Sequence, residues 1–254
     1  MMQTYRAYPP DGFETSADAE ERRRRLIHIL KSGGNDQRQL ARKLARCRKE
    51  DRCRSGSCPS CLRLFRLVFL REGLQVLESR TSWVRASILP RAMAVPQGKL
   101  HHLSLARIVK TTRKRLERCL PDRTLVLGGV DISLNTTNNA DPIWQGHLYL
   151  LIESKVTLAF KQRARNAFPA EPSAKRPYNF RQVGSHRKPL TYCIKPVFAR
   201  RSQYVAKGKS HVTDQPLSSK QVAELALFLD QYAIGDRLIL KGVRRAGRHL
   251  RVMP

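Results

Sequence analysis

Acidic residues are scarce in this chain. The 254 residues include 20 Asp and Glu against 49 Lys and Arg, which gives a net charge of +29. A folded protein with so much charge of one sign repels itself unless it has a polyanionic partner. We expect that partner to be nucleic acid, because each neutralised phosphate releases counterions and strengthens binding. An anionic membrane surface is the alternative, but the charge is spread along the chain and not gathered in one amphipathic helix.

Long apolar runs are also missing. No stretch approaches the ~18 apolar residues of a membrane-spanning helix, and residues 1–25 lack the apolar segment of a secretory signal. We therefore expect a cytoplasmic protein with no membrane partner, whose six cysteines are thiols or metal ligands and not disulfides. Aromatic residues make up only 7% of the chain, which argues against a stacking platform for single strands.

Hydrophobic residues, 41% of the chain, occur in periodic runs that predict an α+β protein. We expect a flexible tail over 1–17, a basic helical region over 18–80, an α+β core over 81–210, and a C-terminal helix with a basic hairpin over 211–254. The core is predicted to be an antiparallel sheet with flanking helices. Within it, "TLVLGGVDISLN" and "WQGHLYLLIE" read as strands, and the glycine pair of the first indicates a bulge or a close backbone approach.

Four cysteines are grouped within the helical region. Cys47, Cys53, Cys58 and Cys61 follow the spacing C-x5-C-x4-C-x2-C. Four thiolates so close together suit tetrahedral Zn²⁺, and a closed four-cysteine site leaves no position for water. We therefore expect a structural zinc site that organises the basic helices around it. The alternatives are ordinary thiols, with Cys47 on a helix face, or a redox pair.

The two predicted strands place polar side chains on one face. Because alternate residues of a strand share a face, His147 and Tyr149 lie opposite the leucines of their strand, and Asp131 lies on the polar face of the other. The short connecting loop favours pairing of the strands, which would bring Asp131 near His147. A carboxylate and an imidazole can hold Mg²⁺ or Mn²⁺. A polar, solvent-facing strand surface is the alternative interpretation.

These strands, followed by "LTYCIKPVFARRSQY", resemble the HUH endonucleases, the rolling-circle replication initiators and relaxases of plasmids, phages and transposons. The resemblance covers roughly residues 82–205, and the cysteine cluster is similar to the knuckle of some plasmid initiators. It implies an HUH/RRM-like fold and a metal-dependent attack of a tyrosine on single-stranded DNA. The motifs are a His-hydrophobic-His strand, an acidic residue of the sheet and a later Tyr-x-x-Lys.

The family roles carry over residue by residue. His147 matches the first histidine, Asp131 the acidic ligand, and Tyr192 with Lys195 the Tyr-x-x-Lys. Tyr149 stands where the family has its second histidine, so the metal site loses a nitrogen ligand. The resemblance implies that Tyr192 is the nucleophile and that Lys195 favours the phenolate or holds the phosphate.

We therefore predict a DNA-binding replication initiator that nicks one strand through Tyr192, with origin or single-stranded DNA and host replication proteins as partners. A non-catalytic nucleic-acid-binding regulator on the same scaffold is the alternative, and composition alone also leaves RNA open. The arginines that we expect to contact nucleic acid are Arg63, Arg66, Arg200, Arg201, Arg244 and Arg245.

Overall fold

The computed structural model describes residues 9, 12–137, 140–171, 174, 176–183, 187–206 and 209–253. The helices are α1 (Ser16–Lys31), α2 (Asn35–Ala45), α3 (Pro59–Glu78), α4 (Leu105–Cys119), α5 (Leu158–Ala167), α6 (Arg187–Thr191) and α7 (Ser219–Asp230). The strands are β1 (Trp83–Ile88), β2 (Ala94–Pro96), β3 (Val126–Thr137), β4 (Ala140–Glu153), β5 (Tyr178–Gln182), β6 (Arg200–Ala206), β7 (Lys209–Gln215), β8 (Leu238–Lys241), β9 (Val243–Ala246) and β10 (His249–Val252).

The large sheet has the strand order β5-β1-β4-β3-β6-β7, with β2 beside β4 and β8 beside β3. The predicted α+β class is confirmed, but the sheet is mixed and not antiparallel throughout, because β3 and β6 run parallel. A parallel neighbour needs a long crossover connection. Here the chain leaves β4, forms α5, β5 and α6, and only then returns to the side of β3. Nothing in the alternation of β6 signals its direction.

Each face of the sheet is covered by a different set of helices. Val130 of β3 and Leu148 of β4 belong to a cluster with the buried sides of α4 and α5. Leu127 and Leu151, on the other face, join a cluster that includes α1, α2 and α3 and buried residues of α7. The basic helical region thus shares its hydrophobic core with the sheet. Among the described residues, no helix is long and apolar enough to cross a membrane.

The glycine pair of β3 permits a close approach. A Cβ atom on Gly129 would lie 2.1 Å from the carbonyl oxygen of Cys193, so the backbone after α6 rests directly on the strand. The register of β3 with β4 continues unbroken past Gly128 and Gly129. The close approach is therefore present, and the predicted alternative, a bulge, is not at this position.

Part of the predicted tail belongs to the folded structure. Residues 1–8, 10 and 11 lie outside the described residues, but α1 already begins at Ser16. The Thr15 side chain accepts a hydrogen bond from the backbone N–H of Asp18, and the Asp18 carboxylate accepts one from the N–H of Thr15. Such a capping box satisfies N–H groups that the first turn leaves without partners.

Candidate zinc and tyrosine sites

The four grouped cysteines come together as predicted. Their sulfur atoms all lie within 4.8 Å of one another, and the Cys47–Cys61 and Cys53–Cys61 sulfur distances are 3.5 and 3.7 Å. A Zn–S bond of about 2.3 Å in a tetrahedron implies sulfur atoms about 3.8 Å apart. In the part of the chain that the structure describes, this is the only such group of three or more His, Cys, Asp or Glu side chains. The arrangement can hold a metal ion such as zinc.

Local structure places these sulfurs. Cys58 is the N-cap of α3 and Cys61 lies in its first turn, so the pair shares one end of the helix. Mutual hydrogen bonding orders the thiols: the contact with Cys53 raises the pKa of Cys58, and the contact with Cys58 lowers the pKa of Cys53 to about 2. A divalent metal binds thiolates, so its binding would displace protons from the cluster.

The loop between these cysteines packs against α7. The backbone N–H of Gly56 donates to the carbonyl of Tyr232 at 3.1 Å, and Ser55 forms an isolated bridge with Ala233. A Cβ atom on Gly56 would lie 2.4 Å from the carbonyl oxygen of Leu229, so only glycine fits there. The cysteine site therefore links the N-terminal helices to the C-terminal part of the chain.

The second site lies on the sheet face that also supports α3. β3 and β4 pair with Asp131 opposite His147, as predicted. Asp131 and His147 are buried, with 5% and 3% of their surface exposed. Asp131, His147 and Tyr149 thus form a polar row on the sheet face that also carries Leu127 and Leu151. The chain after α6 packs onto Gly129 beside this row.

Lys195 is the centre of this polar row. Its Nζ lies 2.8 Å from Oδ2 of Asp131 and donates to the Tyr149 hydroxyl at 3.3 Å. The same atom is 4.5 Å from the ring centroid of Tyr149 and 5.9 Å from that of Tyr192. Burial alone would lower the pKa of Lys195, but the Asp131 carboxylate and the Tyr149 phenol outweigh it and raise the pKa. Lys195 is therefore a charged, fixed ammonium group.

His147 has a different partner. Its Nε2 lies 2.6 Å from the Ser133 hydroxyl. Burial, with smaller contributions from the cations Arg201 and Lys195, lowers the pKa of His147 to about 3. The imidazole is thus neutral at physiological pH. Ser133 was not among the predicted site residues, although strand alternation alone places it on the same face as Asp131.

Two of the donors predicted to bind Mg²⁺ or Mn²⁺ already contact protein neighbours. Lys195 pairs with Oδ2 of Asp131, whose Oδ1 has no hydrogen-bond partner among the described residues, Ser133 contacts Nε2 of His147, and Tyr149 offers a phenol where the prediction needs a nitrogen. The ammonium at 2.8 Å from the carboxylate repels a second cation. In this arrangement the residues do not fit a divalent cation, and Lys195 supplies the positive charge instead.

Tyr192 lies at the outer side of this cluster. It follows the last residue of α6, its backbone N–H donates to the carbonyl of Pro189 at 3.2 Å, and 40% of its surface is exposed. Its ring centroid is 6.2 Å from that of Tyr149. The predicted nucleophile, lysine, acid and strand tyrosine are therefore assembled in one place, and only Tyr192 among them is exposed.

Arg237 is a buried residue that sequence reasoning missed. Only 1% of its surface is exposed, and its three guanidinium nitrogens have no hydrogen-bond partner among the described residues. Burial lowers its pKa to about 10, and Asp131 partly offsets that effect. The guanidinium carbon lies 5.4 Å from the ring centroid of Phe198. In sequence Arg237 precedes a short apolar run, which gives no signal that its side chain is enclosed.

The predicted nucleic-acid-binding arginines belong to α3, β6 and β9. Arg63 and the buried Arg66 contact Glu14, through its carbonyl and its carboxylate respectively. On β6, Arg200 contacts Gln215, and Arg201 lies 3.4 Å from the Asp214 carboxylate. The exposed Arg244 and Arg245 belong to the separate β9–β10 hairpin, where Arg245 lies over the ring of Phe65. Because Phe65 lies on α3 between Arg63 and Arg66, Arg245 lies beside that pair, while Arg200 and Arg201 belong to the large sheet.

Comparisons with known proteins gave no relatives: no family model, curated protein or solved structure matches this chain.

Proposed function

We propose that this chain is a DNA-binding replication initiator of the HUH type that nicks one strand with Tyr192. The observation that carries the proposal is the position of Lys195, which lies between the Asp131 carboxylate, the Tyr149 phenol and the ring of the exposed Tyr192. The net charge of +29 supports a polyanionic substrate. Tyr192 can be reached by a strand that lies across the surface.

The chemistry of such a nick follows from these groups. The Tyr192 hydroxyl oxygen attacks the phosphorus atom, the bond from phosphorus to the 3′ oxygen breaks, and a 5′-phosphotyrosyl link forms. The phenol gives up its proton, and the leaving 3′ oxygen takes one from the solvent. A free phenol has a pKa near 10, so a nearby cation must favour the phenolate or the charged phosphate. Lys195 supplies that cation, and Asp131 holds it in place.

We also propose that the cysteine site holds zinc and serves the fold. Four sulfur ligands close the coordination shell, which leaves no open position for catalysis. The contacts of the intervening loop with α7 make the metal a link between distant parts of the chain. The basic helices α1 and α2 would then be held in a fixed orientation for DNA.

The non-catalytic alternative is favoured by one observation. The polar side chains of the row other than Tyr192 are not exposed, and Lys195 already pairs with one oxygen of the predicted metal ligand Asp131. A protein that only binds nucleic acid needs no reactive site, and its sheet face could keep these pairs for stability. RNA as the bound nucleic acid belongs to this alternative.

The deciding experiment incubates the purified protein with labelled single-stranded DNA, with Mn²⁺ or with EDTA, and looks for a covalent adduct on a denaturing gel. We expect an adduct that Tyr192→Phe abolishes while DNA binding persists, because only one hydroxyl is lost. Tyr178→Phe is the matched control, since that phenol donates to the Phe168 carbonyl and lies outside the cluster. An adduct that survives Tyr192→Phe means another nucleophile, and no adduct under any condition selects the binding protein.

A further inference from the structure

The outer side of α4 carries a row of cations. Arg107, Lys110, Lys114 and Arg118 follow one another at intervals of three or four residues, so they lie along one stripe of the helix. All four are exposed. None of their side chains makes a hydrogen bond or an ion pair within the described residues. Like charges at this spacing destabilise a helix, so the row costs stability that a bound polyanion would return.

The neighbouring helix α5 extends this basic surface. α4 and α5 are in contact, and α5 contains no acidic residue. Arg163 is exposed and lies near the end of α4, where it partly offsets the rise that burial causes in the pKa of Cys119. Glu117 is the one acidic residue within α4.

The surface lacks the features of a membrane-binding helix. The apolar side of α4, which includes Leu105, Val109 and Leu116, is buried in the core of the sheet. Leu158 is the one large exposed hydrophobic residue that the structure shows on these two helices. An interfacial helix needs a whole apolar face for insertion. The cations here therefore face an aqueous partner.

The surface also lacks the features of a single-strand site. Proteins that hold single strands combine cations with exposed aromatic rings on which bases stack. The aromatic ring within α5, Phe160, is 1% exposed, and α4 contains no aromatic residue. A surface that offers cations alone can contact phosphates but cannot hold unpaired bases.

We infer that the stripe formed by Arg107, Lys110, Lys114 and Arg118 contacts the phosphates of duplex DNA. The stripe is about 16 Å long at 1.5 Å per residue, the axial length of roughly five phosphates of one strand. It lies on the sheet face opposite Tyr192, because the residues beneath α4 alternate along β3 with Asp131. This inference rests on the proposed DNA-binding function, and it assigns duplex and single strand to different faces of the sheet.

The test compares two variants with the same loss of charge. The first carries Arg107→Gln, Lys110→Gln, Lys114→Gln and Arg118→Gln. The control carries Lys99→Gln, Lys155→Gln, Arg181→Gln and Lys220→Gln, all exposed positions outside α4 and α5 and outside the residues proposed above to contact DNA. Glutamine keeps helix propensity close to that of the replaced residues. Affinity for a duplex of about 30 base pairs is measured as a function of salt.

We expect the α4 variant to reduce the log–log salt slope by about 3 to 4, because each phosphate contact contributes about 0.9. Duplex affinity at fixed salt should fall at least tenfold, and the melting temperature should not fall, because the repulsion between like charges on α4 is removed. An equal loss in the control variant would show that net charge alone is responsible and would overturn the inference. Unchanged duplex affinity in the α4 variant would show that the stripe does not contact the duplex. A loss of binding to phosphatidylserine vesicles with duplex affinity intact would assign the stripe to membranes and also overturn the inference.

The proposed nicking activity is tested separately in the same variant. Adduct formation on single-stranded DNA should be unchanged, because Tyr192 lies on the other face of the sheet. If the wild type forms no adduct but the α4 variant still loses duplex affinity, the nicking proposal is wrong and the duplex surface stands.

Discussion

The cysteine site and the tyrosine site are both clusters of reactive groups, yet their internal pairing differs. In the cysteine site the four donors are alike and surround one common point. In the tyrosine site a cation already neutralises the acid, and a serine already holds the histidine. An added ion can complete the first arrangement, whereas in the second a lysine already pairs with the acid. A metal should therefore matter greatly to one site and little to the other.

Loss of the metal from the cysteine site should have the largest effect. Cys58→Ser removes one of four ligands at the start of α3, so we expect zinc content to fall and stability to drop by on the order of 4 kcal/mol or more, since metal-binding energy is folding energy. Elemental analysis and thermal melting measure the two quantities. Cys119→Ser is the control, because that cysteine lies outside the cluster. If the metal-free protein is as stable as the metal-bound one, the cysteine site does not depend on a metal and the proposed difference between the two sites is wrong.

Breaking the lysine–carboxylate pair should have the next largest effect. Lys195→Met removes the cation that lies 2.8 Å from the buried Asp131 carboxylate, and removal of one partner of a buried pair costs about 3 kcal/mol or more. Denaturant unfolding measures the change. The double variant Lys195→Met with Asp131→Asn should recover a large part of the loss, because the buried charge is gone. If the double variant is as unstable as the single one, the ammonium group is not what stabilises Asp131.

His147 gives a smaller, pH-dependent effect. Its folded pKa of about 3 lies below the ordinary value of 6.5, so between these values the unfolded chain binds a proton that the native chain does not. Stability should therefore fall as the pH drops below 6.5, by about 1.4 kcal/mol per pH unit from this residue. The wild type should lose free energy of unfolding between pH 7 and pH 5. In His147→Gln this loss should be smaller by about 2 kcal/mol. An identical pH dependence in both proteins would contradict a buried neutral imidazole.

Substitution of Tyr149 should change stability least. Tyr149→His removes a 3.3 Å hydrogen bond from Lys195, which contributes about 1 kcal/mol, but it adds a nitrogen where the HUH family has one. We expect Tyr149→His to nick more with Mn²⁺ than with EDTA, and Tyr149→Phe, which adds no ligand, should not show this gain. His147→Ala added to Tyr149→His should remove this gain, because it takes away the other nitrogen ligand. Nicking by Tyr149→His that ignores Mn²⁺ would mean that no metal site has been restored.

Local sequence patterns predict the parts of both sites that depend on neighbours in sequence. The spacing of Cys58 and Cys61 fits one helix end, and strand alternation with a short connecting loop is enough to place Asp131 beside His147. The partner of Asp131 comes from a segment some 60 residues away, and no local period encodes that contact. The burial of Arg66 and Arg237 also depends on long-range packing, as does the parallel pairing of β3 with β6.

The missing side chain at Gly129 fixes a spacing in the molecule. Because the Cys193 carbonyl lies where a Cβ atom would stand, the segment that carries Tyr192 and Lys195 is seated on main-chain atoms, which cannot change rotamer. The position of the Lys195 ammonium group relative to Asp131 therefore depends on direct contact between the two backbones. A methyl group added at Gly129 would push the Cys193 backbone away from β3. Tyr192 and Lys195 would then move outward together.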